Sequence, residues 1–200
     1  MKLVEAINEV ADAVRRCAFE SRNVGVGNTI VIMHRKKGAY GYCTADQPWL
    51  NSTTEYREIA VTPSCVNTGL NRLITTLSHE YVHAYNLTRG KKDSSGRRHN
   101  KWFKEACVMI DLPVEPDEKL GWITPTLEDD NILCIEAKKL ISDECKTFIE
   151  GLKYVEKEKK KGEGQPAYVC PGCGLKARAK KDARMMCADC EEIMEVEVKL

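Results

Sequence analysis

Apolar residues recur along the chain at two periods, and the switches between them lay out its elements. Leu3, Ile7, Val10, Ala11, Val14 and Cys17 share one side of a helical wheel, which predicts a helix over residues 3–20. Residues 21–28 carry turn chemistry and read as a loop. The β-branched run Thr29–Met33 predicts a strand, Lys36-Lys37-Gly38 a hairpin turn, and Ala39–Thr44 the returning strand. Asp46–Thr54 reads as a polar loop carrying Trp49, and the alternating Tyr56–Val61 as a third strand. A small antiparallel sheet is therefore expected. Leu70, Leu73, Ile74, Leu77 and Tyr81 then return to steps of three and four, so 71–85 is a helix with one face to bury. Arg72, Thr76, His79 and His83 lie on a different face, left free to be presented.

Residues 87–98 form a glycine- and serine-containing segment in which Arg89, Lys91, Lys92, Arg97 and Arg98 face Asp93 alone, expected as a mobile, positive loop. Trp102, Phe103, Ala106, Cys107 and Ile110 mark a further helix, ended by Pro113 and Pro116. Residues 115–130 look irregular, and 132–161 return to helical periodicity. The charged stretch from Glu156 to Gln165 is expected to be a solvated helix end and linker. The layout is α+β: a helix, a small antiparallel sheet, a second helix, more helices and a separate C-terminal module. The expected domains are 1–112, a helical extension with charged linker over 113–165, and 166–200.

Composition adds few restrictions. Lys and Arg number 31 against 30 Asp and Glu, so whole-chain charge does not announce a polyanionic partner. No apolar run approaches a membrane span, and the amphipathic N-terminus does not read as a signal peptide. Of ten cysteines, Cys17, Cys43, Cys65, Cys107, Cys134 and Cys145 sit inside apolar or periodic segments as free thiols do. All ten read as reduced, which implies an intracellular protein.

Candidate chemistry changes the picture more. His79-Glu80-Tyr81-Val82-His83 is the pattern H-E-x-x-H, and it falls on the helix 71–85. Two histidines four apart stand one turn above each other and can reach one metal ion, with Glu80 beside it as a base. A zinc peptidase needs three protein ligands and a fourth position for water. A histidine at position 89 would complete the metzincin spacing, but Arg89 stands there. His99, at the start of the next helix, is preferred as third ligand, with Glu105 as competitor. Zinc would lower the pKa of a bound water to about 7 and polarise a peptide carbonyl, while Glu80 carries the proton. Tyr81 and Tyr85 are left without a role, and Tyr81 is expected in the core.

These residues resemble the SprT-like (Spartan-type) zinc metallopeptidases, in which H-E-x-x-H is followed by a variable loop and then a histidine with an aromatic residue four positions on. Here those are His79–His83, the basic loop, His99 and Phe103. Many members carry glycine directly after the third histidine, where this chain has Asn100. The resemblance covers residues 1–112 and the C-terminal module. It implies an endopeptidase with a catalytic zinc, acting on DNA-associated or DNA-crosslinked proteins. The alternative is a non-enzymatic zinc-containing nucleic-acid-binding protein.

In the C-terminal module, Cys170-Pro171-Gly172-Cys173 and Cys187-Ala188-Asp189-Cys190 are two knuckles that can close a tetrahedral Cys₄ site, a zinc ribbon. Two zinc ions per chain are therefore expected, one catalytic and one structural. Between the knuckles lie Lys176, Arg178, Lys180, Lys181 and Arg184, opposed by Asp182. Strand alternation places Lys176, Arg178 and Lys180 on one face, a candidate stripe for DNA phosphates. The acidic tail Glu191, Glu192, Glu195 and Glu197 offsets that charge.

Overall fold

In the computed structural model, which describes residues 1–36, 38–155 and 164–197, the first apolar stripe is helix α1 (Leu3–Val14). A π-helical turn, Arg15–Phe19, prolongs it and carries Phe19 into the core. Ala6, Ile7, Val10 and Val14 are buried, as their spacing requires.

Four strands follow: β1 (Thr29–Met33), β2 (Gly41–Cys43), β3 (Trp49–Asn51) and β4 (Thr54–Val61). They make one sheet in the order β1-β4-β2, with β3 also paired to β4. The expected antiparallel meander is corrected here, because the sheet is mixed. β1 runs parallel to β4, while β2 and β3 run antiparallel to it. The turn expected at Lys36-Lys37-Gly38 joins no hairpin, since β1 and β2 lie on opposite sides of β4; Lys37 lies outside the described residues. The physical reason is the burial of β4. Ile59, Ala60 and Val61 have no exposure, so their backbone groups must be bonded on both edges. β1 and β2 supply that bonding, and the segment expected as a polar loop pairs with the other end of β4. Trp49–Asn51 pairs with Thr54–Tyr56 around Ser52, which adopts the positive φ of 55° that a tight turn uses.

Thr62 caps the short helix α2 (Pro63–Asn67), its hydroxyl accepting from the Cys65 amide at 3.3 Å. Helix α3 (Leu70–Thr88) contains the H-E-x-x-H pattern and buries the predicted stripe of Leu70, Leu73, Ile74, Leu77 and Tyr81. Tyr81 packs in the core, its ring centroid 6.0 Å from that of Phe19. Part of the face expected to be presented is covered too. Thr76 and Glu80 lie under β2, where a Cβ on Gly41 would stand 2.7 Å from Thr76 Cγ2 and 3.0 Å from Glu80 Oε1.

The basic segment after α3 is tied down rather than featureless. β5 (Ser94–Ser95) pairs with β6 (Arg98–His99), and helix α4 (Lys101–Met109) starts directly after. The stretch expected to be irregular holds a hairpin, β7 (Glu115–Asp117) with β8 (Gly121–Ile123). The single helix expected over 132–161 is two, α5 (Ile132–Leu140) and α6 (Asp143–Gly151). Ile141 is extended, and the Ser142 hydroxyl caps α6 by accepting from the Cys145 amide at 3.2 Å. An N-cap competes locally with helix continuation, and here it wins. Residues 156–161 of that expectation lie outside the described residues.

The chain divides into two compact units, Met1–Tyr154 and Val155–Leu200. In the second, β9 (Ala167–Val169) is flanked by β10 (Lys176–Arg178) and β11 (Glu195–Val196), both antiparallel to it. The fold is α+β, and among the described residues no helix is long and apolar enough to cross a membrane.

Gly41 is where the sheet comes nearest to α3. Its missing side chain would also meet the Ala60 carbonyl at 2.8 Å, which is backbone and cannot swing aside. Gly41→Ala is therefore expected to destabilise the first unit by about 1–3 kcal/mol, read as a lower denaturation midpoint.

Candidate metal centres

Three imidazoles meet at one point in the first unit. His79 and His83 project from consecutive turns of α3, and His99 is brought up by β6. Their ring centroids form a nearly equilateral triangle, with sides of 5.0, 4.9 and 5.0 Å. One nitrogen from each lies within 4.8 Å of the others. The Phe103 ring lies against all three, stacked on His99 at 4.0 Å between centroids, and has no solvent exposure. Glu105 is exposed on α4 and stands outside this group.

Each ring is held by a different element. His83 Nδ1 donates to both oxygens of Asp93 at 2.9 Å, and His99 Nδ1 donates to the Trp122 carbonyl at 2.6 Å. His79 Nδ1 pairs with Thr124 Oγ1 at 2.9 Å. A carbonyl and a carboxylate only accept, so His83 and His99 carry their protons on Nδ1 and turn Nε2 lone pairs inward. His83 Nε2 and His79 Nε2 stand 3.2 Å apart. Two such lone pairs repel each other unless a cation or a proton lies between them. Ligand nitrogens around tetrahedral zinc are about 3.3 Å apart, so the spacing of this pair fits that ion. Burial, then the neighbouring His83 and His99, hold His79 well below the usual histidine range. Burial and His83 also lower His99. For His83 burial acts downward, but the Asp93 hydrogen bond and the charges of Glu80 and Asp93 prevail and raise it. A site that rejects protons on two of three imidazoles is suited to a metal.

The loop and hairpin that aim His99 explain why it converges. The His99 amide donates to the Leu120 carbonyl at 2.8 Å. Gly121, at φ 75°, permits that approach, because a Cβ there would lie 2.1 Å from the His99 oxygen. Asn100 caps α4, its side-chain oxygen accepting from the Trp102 amide at 2.8 Å, while its own backbone amide donates to the Asp93 carbonyl at 2.9 Å. Asparagine thus fixes the start of α4 and ties it to Asp93. A cavity of about 650 Å³ opens beside His99, between Arg98–Asn100 and Asp117–Trp122.

Glu80 is 5% exposed, and burial pushes its carboxyl up to about 7, against the lowering influence of His83 and Lys36. It does not belong to the ligand group. Among the described residues no hydrogen bond or ion pair holds it.

In the second unit Cys170, Cys173, Cys187 and Cys190 come together with sulfurs within 4.8 Å of one another, a second candidate metal site. The Cys173 and Gly172 amides point at the Cys170 sulfur and lower its thiol below the usual range, as a knuckle for a cation requires. Tyr168, Cys170, Cys187 and Met194 make up the small core around it. Lys176, Arg178, Lys180, Lys181 and Arg184 are all exposed, with Ala177 and Ala179 alternating inward. Lys176 is paired with Glu197, so that cation is partly neutralised.

Asp93, Thr124 and the Trp122 carbonyl carry no functional signal in the sequence. Asp93 is an isolated acid among basic residues, and the other two lie in a stretch without periodicity. Its buried partner Asn86, which stands on α3, gives no sign in the sequence that an acid will fold back onto it. No protein-family model, curated protein or solved structure matches the chain.

Asp93 is 2% exposed and also accepts from Asn86 Nδ2 at 2.9 Å. It is the only charged group among the three that orient the rings. Asp93→Asn is expected to weaken zinc binding at the histidine site about 10–100-fold, measured by chelator competition, with the Cys₄ site unchanged as internal control.

Proposed function

We propose that this chain is a zinc-dependent metallopeptidase of the SprT type that acts on DNA-associated proteins. One observation carries the reading: three oriented imidazoles converge beside an unengaged carboxyl, Glu80, and among the described residues no fourth protein donor joins them. A wholly structural site would be closed by a fourth ligand and would have no use for a neighbouring base.

His79, His83 and His99 would hold the ion. Zinc bound there supplies a Lewis acid for a carbonyl oxygen and lowers the pKa of water to about 7. Glu80 takes the proton from the attacking water and returns it to the departing amine. Burial, which raises its carboxyl, makes it a stronger base than an exposed glutamate. β2 offers the place for an extended substrate. Thr62 donates to the Tyr40 carbonyl and Thr44 to the Glu58 carbonyl, so by alternation the N–H and C=O of Gly41 and Cys43 face away from β4. An extended peptide can bond to that edge directly above Glu80. The exposed cations of the second unit, Arg178, Lys180, Lys181 and Arg184, would face a nucleic acid to which the substrate is attached.

Glu80→Gln should keep two zinc ions per chain and the fold, while cleavage of a DNA-bound protein falls at least about 100-fold. Undiminished cleavage by that variant would remove Glu80 from the role of base, and no cleavage by zinc-loaded wild type with DNA present would favour a non-enzymatic nucleic-acid-binding protein. Replacing Lys176, Arg178 and Lys180 with glutamine should lower DNA affinity and flatten its dependence on log salt by about 0.7–0.9 for each phosphate that is no longer neutralised. An unchanged slope would remove this stripe from the binding surface.

A further inference from the structure

Several cations of the first unit are matched by acids. Arg15 pairs with Asp12 and Glu20, Arg22 with Asp111, Lys138 with Asp129, and Lys146 with Asp143. Two others flank β2 and lie over the rings of its tyrosines, as Arg35, Arg89, Lys91, Lys101 and Lys104 lie over rings elsewhere. Arg72 lies with its guanidinium carbon 4.7 Å from the Tyr40 ring centroid, and its buried Nε has no hydrogen-bond partner. Lys36 Nζ lies 4.5 Å from the Tyr42 ring centroid. Among the described residues neither has a carboxylate partner. The acid nearest to the Tyr42 ring, Glu58, already accepts from the Tyr42 hydroxyl at 2.7 Å and the Trp49 indole at 2.9 Å.

Placement makes this more than a surface accident. Arg72, Thr76 and Glu80 follow one another by single turns along α3. Thr76 and Glu80 both lie against Gly41, and Arg72 lies against the preceding residue, Tyr40. The stacked guanidinium therefore continues the line that starts at the base. Arg72 is eight residues from Glu80, about 12 Å along the helix axis, which an extended peptide covers in about four residues. A half-buried guanidinium held flat on an aromatic ring has lost much of its rotamer freedom, and it keeps donors free for a planar anion. Lys36 adds a second positive charge on the other tyrosine of the same edge.

We propose that Arg72 is a specificity-determining residue, which selects extended peptides carrying an acidic side chain within about four residues of the scissile bond. Lys36 reinforces the same preference from the Tyr42 side. The inference rests on the metallopeptidase reading and deepens it, by naming the chemistry of the segment that β2 holds. Aspartate or glutamate supplies the carboxylate, and the Arg72 fork supplies parallel N–H donors.

The test uses the full-length, zinc-loaded protein and synthetic peptide pairs that differ only by Glu against Gln, moved through the four positions on either side of the cut. At one position the wild type should prefer Glu about tenfold in kcat/KM, through KM rather than kcat. In Arg72→Gln the Glu-to-Gln ratio should fall to near one, and Arg72→Lys should retain part of it. Because the ratio is taken within each variant, a loss of folded fraction does not move it. Equal use of Glu and Gln by the wild type, or an unchanged ratio in Arg72→Gln, overturns the proposal while leaving the peptidase reading intact. If no peptide is cut, that reading fails instead, and fluorescence anisotropy of labelled Glu and Gln peptides on Glu80→Gln protein still decides the ionic preference. An oligonucleotide that displaces the Glu peptide from Glu80→Gln, but not from the same protein with Arg72→Gln added, would assign the cation to nucleic acid and overturn the peptide assignment.

Discussion

The convergence of three imidazoles on one point, two of them with inward-facing lone pairs, is the constraint on which the first unit depends. Packing forces the rings to within 5 Å of each other, centroid to centroid. The Asp93, Trp122 and Thr124 partners fix which nitrogen each ring turns to the centre. Inward lone pairs of His83 and His99 repel each other, and a cation at the centre would turn that repulsion into attraction. Folding of α3, β6 and the β7–β8 hairpin into mutual contact and metal affinity are thus two views of one free energy.

The same logic accounts for the mixture of charges around the site. Glu80 and Asp93 are both buried acids, yet they are placed differently. Asp93 spends its lone pairs on His83 and Asn86, so it acts as a fixed anion that orients a ring. Glu80 makes no such bond among the described residues, and burial leaves it poised near neutrality. Two carboxyls of one chemistry thereby take two roles, decided by what surrounds each. The β2 edge adds positive charge at Arg72 and Lys36, opposite in sign to both acids.

The second unit solves a related problem with different material. Among the described residues its buried apolar core is four side chains, two of them cysteines of the knuckles. So small a core cannot by itself offset the chain entropy of about forty residues, and a metal held by the four convergent thiols would supply the remaining stabilisation. Burial of the scattered cysteines in the first unit does the reverse. Cys65 and Cys17 are pushed up to about 11, which keeps them as neutral, inert fillers.

Much of this was legible in the chain before any coordinates. A stripe at three- and four-residue steps could only be a helix, and two histidines four apart on it could only share a face; both follow from the helical repeat. Two C-x-x-C pairs are likewise local features that need little tertiary help to be read. What the sequence left open was everything that depends on residues far apart. The parallel pairing of β1 with β4 replaces a hairpin because the burial of β4, not the turn residues, sets the sheet order. The break at Ile141 reflects a cap at Ser142 that apolar periodicity does not register. His99 reaches the point where His79 and His83 meet, rather than Glu105, because Gly121 in a hairpin farther along the chain lets its backbone in. Asp93 becomes the partner of His83 only when a basic loop folds back over α3. Local periodicity is written residue by residue, whereas hydrogen-bond partners across the fold are settled by whichever donors and acceptors burial leaves to be paired.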